Sequence, residues 1–361
     1  MNLEDLKSFR APEHVKIISE LLAQVVHDPL NIMQVCGTHT LNYHKYGLPH
    51  LMPEKLRLFA GPGCPICVTH QKDIDWVISL IKENKKSIIA TFGDLMQVPG
   101  TCGKSLSQLK DEGFDIRIIL SPIQALNLAS SEAPKRVIFI AIGFETTAPA
   151  VALIIQDAMK LRLTNFSVVL LLKNLINALP YLLREAQISG LLCPGHVAAV
   201  IGSKAFEPIV ESLGVPCAIA GFEPVDILMG LLNLAYQNSQ GLVRLYNVYP
   251  RVVVKNGNSK AKELIHSTFD MNNAIWRGFS FIPKTGYQLK KAFGNFEIKP
   301  DEFRLRNTHI RQLDCICDEV ILGKAAPTSC PLFNNPCKPE APIGPCMVSR
   351  EGTCRAYYLH L

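Results

Sequence analysis

The chain has 361 residues, of which 48% are hydrophobic and 19% charged. This composition predicts a folded protein with a large core and excludes a disordered or fibrous one. Lysine plus arginine outnumber aspartate plus glutamate by 37 to 31, an excess too small and too scattered for a surface that binds nucleic acid or a membrane. The N-terminal residues lack a secretory signal and no apolar run is long enough to span a membrane, so we expect a cytoplasmic protein.

A helix is predicted over residues 13–26, where apolar residues recur at helical spacing. Beyond it, β-rich runs alternate with helical patterns. Strands are predicted over 31–35, 56–60, 87–92, 115–120, 136–142, 166–172, 191–193, 215–220 and 243–248. Helices between them are predicted over 73–83, 105–112, 148–160, 179–186, 206–213 and 225–237. Several strands are continuously apolar, which is typical of parallel sheets covered by helices on both faces.

Two α/β domains of similar size are therefore predicted, with a boundary near residues 130–135, where the pattern breaks. We divide the chain into an N-terminal helix at 1–28 that packs on the C-terminal region, a first α/β domain at 29–132, a second at 133–270 and a final region at 271–361. Prolines and cysteines accumulate in this last region and periodicity fades. We expect it to be rich in loops and held together by a metal cofactor.

Cys36 and His39 follow the first predicted strand and begin a helix. Ligands bind at this edge of open α/β sheets, and the N–H groups at a helix N-terminus stabilise a thiolate there. His39, three residues on, is a candidate second metal ligand or proton partner. The alternative is a buried structural cysteine beside a histidine that caps a turn.

Cys64 and Cys67 form a CxxC motif on a loop rich in glycine and proline. Two intervening residues allow the sulfurs to close a disulfide or to share one metal ion. The redox dithiol is favoured over half of a zinc site, because no second CxxC lies nearby. Asp94, at the end of another predicted strand, is a candidate to orient His39 or to act as a base, and it is equally consistent with an ordinary helix cap.

Two further corners follow strands of the second predicted domain, at Glu145 and at His196. Either is a candidate to face the cleft between the domains. Cys193 and Cys217 stand alone in the middle of the chain. Both are plausible as small core residues, and this interpretation is favoured for Cys217.

Six of the 12 cysteines crowd between Cys315 and Cys354. Disulfides do not persist as structural links in a reducing compartment, so another role is expected. Four thiolates from separate segments, suited to zinc or to a cubane iron–sulfur cluster, are offered by Cys315, Cys330, Cys337 and Cys354. Iron–sulfur is favoured, because paired CxxC knuckles are missing and a redox dithiol needs an electron partner. Cys317 is left as a neighbouring thiol and rival to Cys315, and Cys346 as a packing residue.

Seven motifs in order along essentially the whole chain resemble those of the HypD family of hydrogenase maturation factors. They are VCGTHT, GPGCPICVT, TFGDLMQVPG, GFETTAPA, LCPGHV, GFEP and CMVSREGTCRAYY. One local departure is Arg350, which stands where the family has a small residue. Because no single motif carries the likeness, their shared order is the specific part of the signal.

The resemblance implies a redox-active assembly scaffold rather than a conventional turnover enzyme. On it the iron centre of [NiFe]-hydrogenase, with two cyanides and one carbon monoxide, is assembled with the chaperone HypC, the cyanide donor HypE and, through HypC, the hydrogenase large subunit. Cys36 then holds this iron with a HypC cysteine, beside His39, and the CxxC is the redox dithiol. The implied [4Fe-4S] ligands are Cys315, Cys330, Cys337 and Cys354.

Two other functions remain open at this point. The first is a stand-alone iron–sulfur thiol–disulfide oxidoreductase that acts on a protein disulfide. The second is a zinc-stabilised α/β binding protein, which a brown iron–sulfur chromophore would exclude.

Overall fold

Nine short runs of the chain become parallel strands in the computed structural model, which describes residues 8–300 and 314–360. The strands of the first sheet are β1 (Leu30–Gln34), β2 (Leu56–Ala60), β7 (Gly190–Pro194), β8 (Cys217–Ala220) and β9 (Leu245–Asn247), in the order β2-β1-β7-β8-β9. Those of the second are β3 (Ile88–Thr91), β4 (Ile116–Ile118), β5 (Val137–Gly143) and β6 (Phe166–Leu172), in the order β4-β3-β5-β6. The predicted parallel α/β class is confirmed.

Helices cover the faces of both sheets. In the described part of the chain they are α1 (Pro12–Val25), α2 (Gly37–Lys45), α3 (Pro65–Val68), α4 (Gln71–Glu83), α5 (Leu106–Asp111), α6 (Pro122–Ser131), α7 (Ala148–Lys160), α8 (Leu175–Leu182), α9 (Gly195–Ile201), α10 (Glu207–Leu213), α11 (Pro224–Ser239), α12 (Ser259–Thr268), α13 (Cys317–Ile321), α14 (Pro345–Val348) and α15 (Thr353–His360). Short 3-10 turns lie at Leu48–Leu51, Gly93–Leu95, Ser203–Phe206, Lys291–Phe296 and Pro327–Ser329.

The two sheets take their strands from both sides of the predicted domain boundary. β1 pairs with β7, with Met33 opposite Leu191, so the first sheet joins residues 30–60 to residues 190–247. The second sheet lies between these segments in sequence, and the boundary predicted near 130–135 falls inside it, between β4 and β5. Periodicity identifies strands but not their partners, which is why the predicted division does not separate the sheets.

The positions of individual helices and strands agree with the sequence-based prediction more closely than the pairing of the strands does. The helix predicted over 148–160 and the strands predicted over 56–60 and 166–172 coincide with α7, β2 and β6. The helix predicted over 179–186 begins earlier, because the Asn174 side chain accepts the Asn177 N–H and caps α8 at Leu175.

An antiparallel hairpin of β10 (Phe269–Ile275) and β11 (Phe281–Leu289) was not predicted. Its first strand has a run of exposed residues in place of an alternating pattern, so the sequence signal for a strand is weak there. Residues 1–7 and 301–313 of the predicted terminal regions lie outside the described residues. Among the described helices, none is both long and apolar enough to cross a bilayer.

The N-terminal helix α1 packs on α11, and the prediction that it packs on the C-terminal region is wrong. Ile18 and Leu22 are buried in one cluster with Leu228, Leu231 and Leu234 of α11. An apolar stripe shows that a helix is covered on one face but does not identify the covering element.

The C-terminal helix α15 packs instead against α2, with the rings of His44 and Tyr357 centred 4.4 Å apart. This contact brings the last cysteine-containing segment of the chain to the carboxyl edge of the first sheet.

Because α1 packs on α11, we expect alanine substitutions of two neighbouring leucines to lower the free energy of unfolding by different amounts. Leu22 is fully buried and Leu21 is 40% exposed. We expect Leu22→Ala to lower the free energy of unfolding by about 2–5 kcal/mol, because it leaves a cavity, and Leu21→Ala to change it by less than about 1 kcal/mol. Urea unfolding under nitrogen, followed by circular dichroism, measures both. Equal effects would contradict this packing.

Candidate thiol and metal site

Cys36 lies where β1 ends and α2 begins, in contact with the CxxC loop. Its side chain is 8% exposed, and the Gly37 N–H donates to the Gly63 carbonyl over 3.1 Å. A Cβ atom on Gly63 would lie 2.3 Å from the Cys36 nitrogen, so only glycine allows this approach. The structure thus brings Cys36 and the predicted dithiol loop together.

The Cys36 thiol is protonated at neutral pH. Burial, followed by the Glu351 carboxylate, raises its pKa to about 12, while the N–H groups of His39 and Thr38 and the Thr38 hydroxyl favour the thiolate. The N–H groups at the helix N-terminus favour the thiolate in the predicted direction, but burial outweighs them. Deprotonation therefore requires a cation beside the sulfur or a proton acceptor.

Glu351 is a site residue that the sequence reasoning missed. The Thr38 hydroxyl donates to its Oε1 over 2.6 Å. Burial raises the Glu351 pKa, and the charge of Asp94 raises it further. Ser349 connects the Asp94 carboxylate to the Glu351 backbone, because its hydroxyl donates to Asp94 Oδ2 over 3.3 Å and accepts the Glu351 backbone N–H over 3.2 Å. Glu351 lies inside the last cysteine-containing motif, CMVSREGTCRAYY, and this position is the sequence signal that could have identified it.

His39 is fully buried and oriented by a backbone carbonyl. Its Nε2 lies 2.8 Å from the Gly221 oxygen, an arrangement in which Nε2–H donates. Asp94, which we predicted as a candidate to orient this ring, makes no hydrogen bond to it, and Nδ1 has no partner among the described residues. Phe222 packs on the ring at 4.7 Å and stacks on His196 at 3.7 Å. Burial lowers the His39 pKa to about 4, so the imidazole is neutral and Nδ1 can accept a proton or bind a metal.

Of the two CxxC cysteines, Cys64 immediately precedes the short helix α3 and Cys67 lies within it. Cys64 caps it, with its Sγ accepting the Cys67 N–H over 3.3 Å. Both side chains are buried, and burial raises the Cys67 pKa well above its ordinary value. The predicted pair is therefore adjacent at the end of the first sheet.

One cavity is lined by all six C-terminal cysteines. It brings together the four predicted cluster ligands, and Cys317 and Cys346 line it as well. The Sγ atoms of Cys317 and Cys346 lie 3.0 Å apart. Cys346 is thus a member of the thiol group and more than a packing residue of the loop.

The dithiol and the cavity are in contact through Cys67 and Cys346. The two thiols lie close enough for each to influence the pKa of the other, and Cys346 interacts in the same way with Cys317 and Cys354. A groove of about 610 Å³ opens beside the cavity, lined by Arg277 and by both Cys315 and Cys317. The thiols therefore form a continuous row from the first sheet to the C-terminal region.

The cysteines that line the cavity are a donor set that fits an iron–sulfur cluster. In residues 8–300 and 314–360, no three His, Cys, Asp or Glu side chains form a group suited to one metal ion. A tetrahedral zinc site needs its ligands to converge on one point, whereas a cubane takes one thiolate per iron and needs cysteines spread around a cavity. Soft thiolates around a buried cavity meet the second requirement.

The remaining candidate residues lie either at the end of a strand or in the core of a sheet. Glu145 is buried after β5, with Oε1 accepting the Ile176 N–H over 3.2 Å. His196 is exposed at the edge of the first sheet. Cys193 and Cys217 are fully buried in adjacent strands, as the core interpretation predicts.

Comparison with known proteins agrees with the motif resemblance. The family model of HypD, described as the hydrogenase formation hypA family, matches residues 11–360. The chain is 39% identical over 363 residues to the hydrogenase maturation factor HypD of Escherichia coli K12, covering 97% of this chain and 96% of that protein. It is 38% identical over 337 residues to HypD of Azotobacter vinelandii, covering 91% and 89%. It is 37% identical over 332 residues to a putative hydrogenase expression/formation protein of Methanocaldococcus jannaschii, covering 92% of each.

Fold and site define a cysteine-rich α/β protein in which a buried dithiol adjoins a thiol-lined cavity. The chain belongs to the HypD family of hydrogenase maturation proteins. The predicted resemblance is thereby confirmed over most of the sequence.

Glu145 should make stability depend on pH. Burial raises its pKa from 4.5 to about 7, so its folded form keeps a proton that the unfolded chain releases at lower pH. This contribution, about 3 kcal/mol, is present below pH 4.5 and lost as the pH rises to 7. We expect Glu145→Gln to remove this loss of stability between pH 4.5 and 7.

The check is urea unfolding at several pH values in this window, for the wild type and for Glu145→Gln. The exposed Glu54→Gln is the control and should keep the wild-type slope. Parallel curves for the wild type and the Glu145 variant would contradict the assignment.

Proposed function

We propose that this chain acts in hydrogenase maturation as a redox-active scaffold on which an iron bearing two cyanides and one carbon monoxide is assembled. The supporting observation is the continuous row of thiols from the CxxC loop to the C-terminal cavity, with Cys36 in contact with the same loop. HypC and HypE are the proposed partners, the hydrogenase large subunit is reached through HypC, and the cytoplasm is the proposed location.

Cys36 is the proposed ligand for the iron cargo. Cyanide and carbon monoxide suit a soft, electron-rich iron, which thiolate supplies better than oxygen ligands. The thiol must lose its proton to bind, and Thr38 connects it to Glu351. We infer a relay in which the Cys36 proton passes to the Thr38 hydroxyl and the Thr38 proton passes to the Glu351 carboxylate, whose raised pKa suits it to accept.

His39 supports this role as a neutral base or second ligand. Its Nε2–H is committed to Gly221, so only Nδ1 is free to act. The fixed tautomer is the arrangement that metal-binding histidines use, with one nitrogen donating to a carbonyl and the other available.

The C-terminal cavity is proposed to hold a [4Fe-4S] cluster through Cys315, Cys330, Cys337 and Cys354. When bound, such a cluster supplies one-electron redox chemistry. The chain's own dithiol handles two electrons: closing the Cys64–Cys67 disulfide releases two protons and two electrons, and opening it takes them up. Cys346 lies between the two groups and keeps them in contact.

HypC is proposed to dock over the edge that holds Cys36. A shared iron needs a thiolate from each protein within about 2.3 Å of one metal, and Cys36 is almost covered in the isolated chain. The partner must therefore approach the loops that cover Cys36.

A stand-alone thiol–disulfide oxidoreductase remains the second candidate. The contact between Cys67 and Cys346 serves that function without any role for Cys36. Binding of ferrous iron and of HypC separates the two, since only the scaffold requires them.

Replacing Cys36 tests the scaffold directly. We expect Cys36→Ala, purified with HypC, to lose the infrared bands of metal-bound cyanide and carbonyl, because the iron loses its ligand on this chain. Cluster absorption near roughly 400 nm should remain. The exposed Cys102→Ala is the control and should keep both signals. Cyanide and carbonyl bands that persist in Cys36→Ala would contradict the assignment.

Single alanine variants of the six C-terminal cysteines test the cluster ligands. Loss of a true ligand should lower iron and sulfide content and bleach the protein, because cluster binding and folding of this region are coupled. We expect this for Cys315, Cys330, Cys337 and Cys354, and much smaller losses for Cys317 and Cys346. Metal and sulfide assays under nitrogen decide it, and a colourless Cys317 variant beside a brown Cys315 variant would overturn the choice.

A further inference from the structure

Arg277, at the tip of the β10–β11 hairpin, binds the end of the dithiol helix α3. Its backbone N–H donates to the Val68 carbonyl over 2.9 Å. Its Nε donates to the Cys67 carbonyl over 3.0 Å, and Nη2 donates to the Thr69 carbonyl over 2.8 Å. The last carbonyls of a helix have no partner within the helix, so one residue here satisfies three consecutive carbonyls at its end.

The hairpin turn holds Arg277 in this position. The Phe279 N–H donates to the Trp276 carbonyl over 3.0 Å, which closes a four-residue turn. Gly278, third in the turn, has a φ of 72°, which glycine adopts without strain. A Cβ there would lie 2.8 Å from Asp318 Cβ, so the turn also packs against the helix that begins at Cys317.

The hairpin tip is anchored in the core. Trp276 is fully buried and its Nε1 donates to Thr285 Oγ1 over 2.9 Å. Lys173, itself buried and 3.6 Å from Asp73, donates to the Ile275 carbonyl over 2.7 Å. Removing the arginine side chain should therefore leave the turn in place.

We propose that Arg277 is a positioning residue of the redox dithiol, holding the Cys67 backbone so that its sulfur stays within reach of Cys64 and of Cys346. This inference rests on the proposed redox function. Arg277 is not a catalytic residue, because its hydrogen bonds go to carbonyl oxygens and none goes to the Cys67 sulfur.

The consequence concerns how easily the disulfide closes. With oxidised dithiothreitol, two S–H bonds of Cys64 and Cys67 break and one S–S bond forms, while the ring S–S bond of the reagent opens to two thiols. Two electrons and two protons pass to the reagent. A loosened helix end lowers the effective concentration of one thiol beside the other, so the protein disulfide becomes less favourable.

The test equilibrates the cluster-containing full chain with dithiothreitol buffers under nitrogen. Alkylation and mass spectrometry then give the oxidised fraction of the Cys64–Cys67 peptide. We expect Arg277→Met to lower the equilibrium constant for disulfide formation about tenfold, or about 30 mV for two electrons. In a Cys64→Ser background, cross-linking of Cys67 to Cys346 by dibromobimane should fall in parallel.

Two matched variants show whether geometry is responsible. Arg136→Met removes another guanidinium that donates within the fold, to Ser167 Oγ over 3.1 Å, and should leave both readouts unchanged. Arg277→Lys keeps the charge but cannot form the two-pronged contact, so its constant should lie between those of the wild type and Arg277→Met. If Arg277→Met fails to fold, Arg277→Lys decides, and we expect its equilibrium constant for disulfide formation to be lower than that of the wild type.

Three results would overturn the inference. The first is an equilibrium constant for disulfide formation that does not change in Arg277→Met. The second is a full wild-type constant in Arg277→Lys, which would assign the effect to charge. The third is a shift in Arg136→Met equal to that in Arg277→Met. A wild-type dithiol that never closes would overturn the proposed redox function together with the inference, whereas a wild-type dithiol that closes normally leaves the Arg277 variants to test the inference alone.

Discussion

The contact between the Cys67 and Cys346 thiols joins two segments that are far apart in sequence, and the site depends on it. Cys67 lies in the short helix α3 at the end of the first sheet, and Cys346 lies in the short helix α14 in the C-terminal region. Without this contact the dithiol and the cysteine-lined cavity would be separate features. Both thiols are buried, which disfavours their charged forms, so a thiolate at either position needs a bound cation or a proton acceptor beside it.

The second sheet and the hairpin give this contact a rigid support. The short helix that carries the dithiol packs against β5, and the hairpin reaches the far end of the same helix through Arg277. Behind it, the buried Lys173, paired with the partly buried Asp73, fixes the hairpin by donating a hydrogen bond to the Ile275 carbonyl. Removing Asp73 would leave the buried Lys173 charge without its partner, which is costly, so this support resists displacement.

Cys36 and the CxxC cysteines are packed against the same segments of the chain. Gly63 lies directly against the Cys36 backbone while the same loop leads into Cys64. On the other side of Cys36, Glu351 comes from the segment between Cys346 and Cys354. Cys36 and the CxxC cysteines are therefore held by the same two pieces of chain, an arrangement that the proposed scaffold would use to couple its metal chemistry to its electron supply.

The sequence by itself determined the α/β class, most strand and helix positions and the motifs that place the chain in its family. These are local properties, since apolar periodicity and residue spacing are written within a few turns of chain. The cysteines of the cavity and the CxxC were also recognisable, because their clustering and spacing are local features of the sequence.

Only the tertiary structure decided which strands share a sheet, which element covers the N-terminal helix and which residues surround Cys36. Glu351 and Arg277 act through contacts to residues more than two hundred positions away, and such partners leave no local pattern. The orientation of His39 by the Gly221 carbonyl instead of Asp94 has the same origin. Long-range packing chooses among many chemically equivalent acceptors, and that choice depends on the burial and geometry of the whole fold.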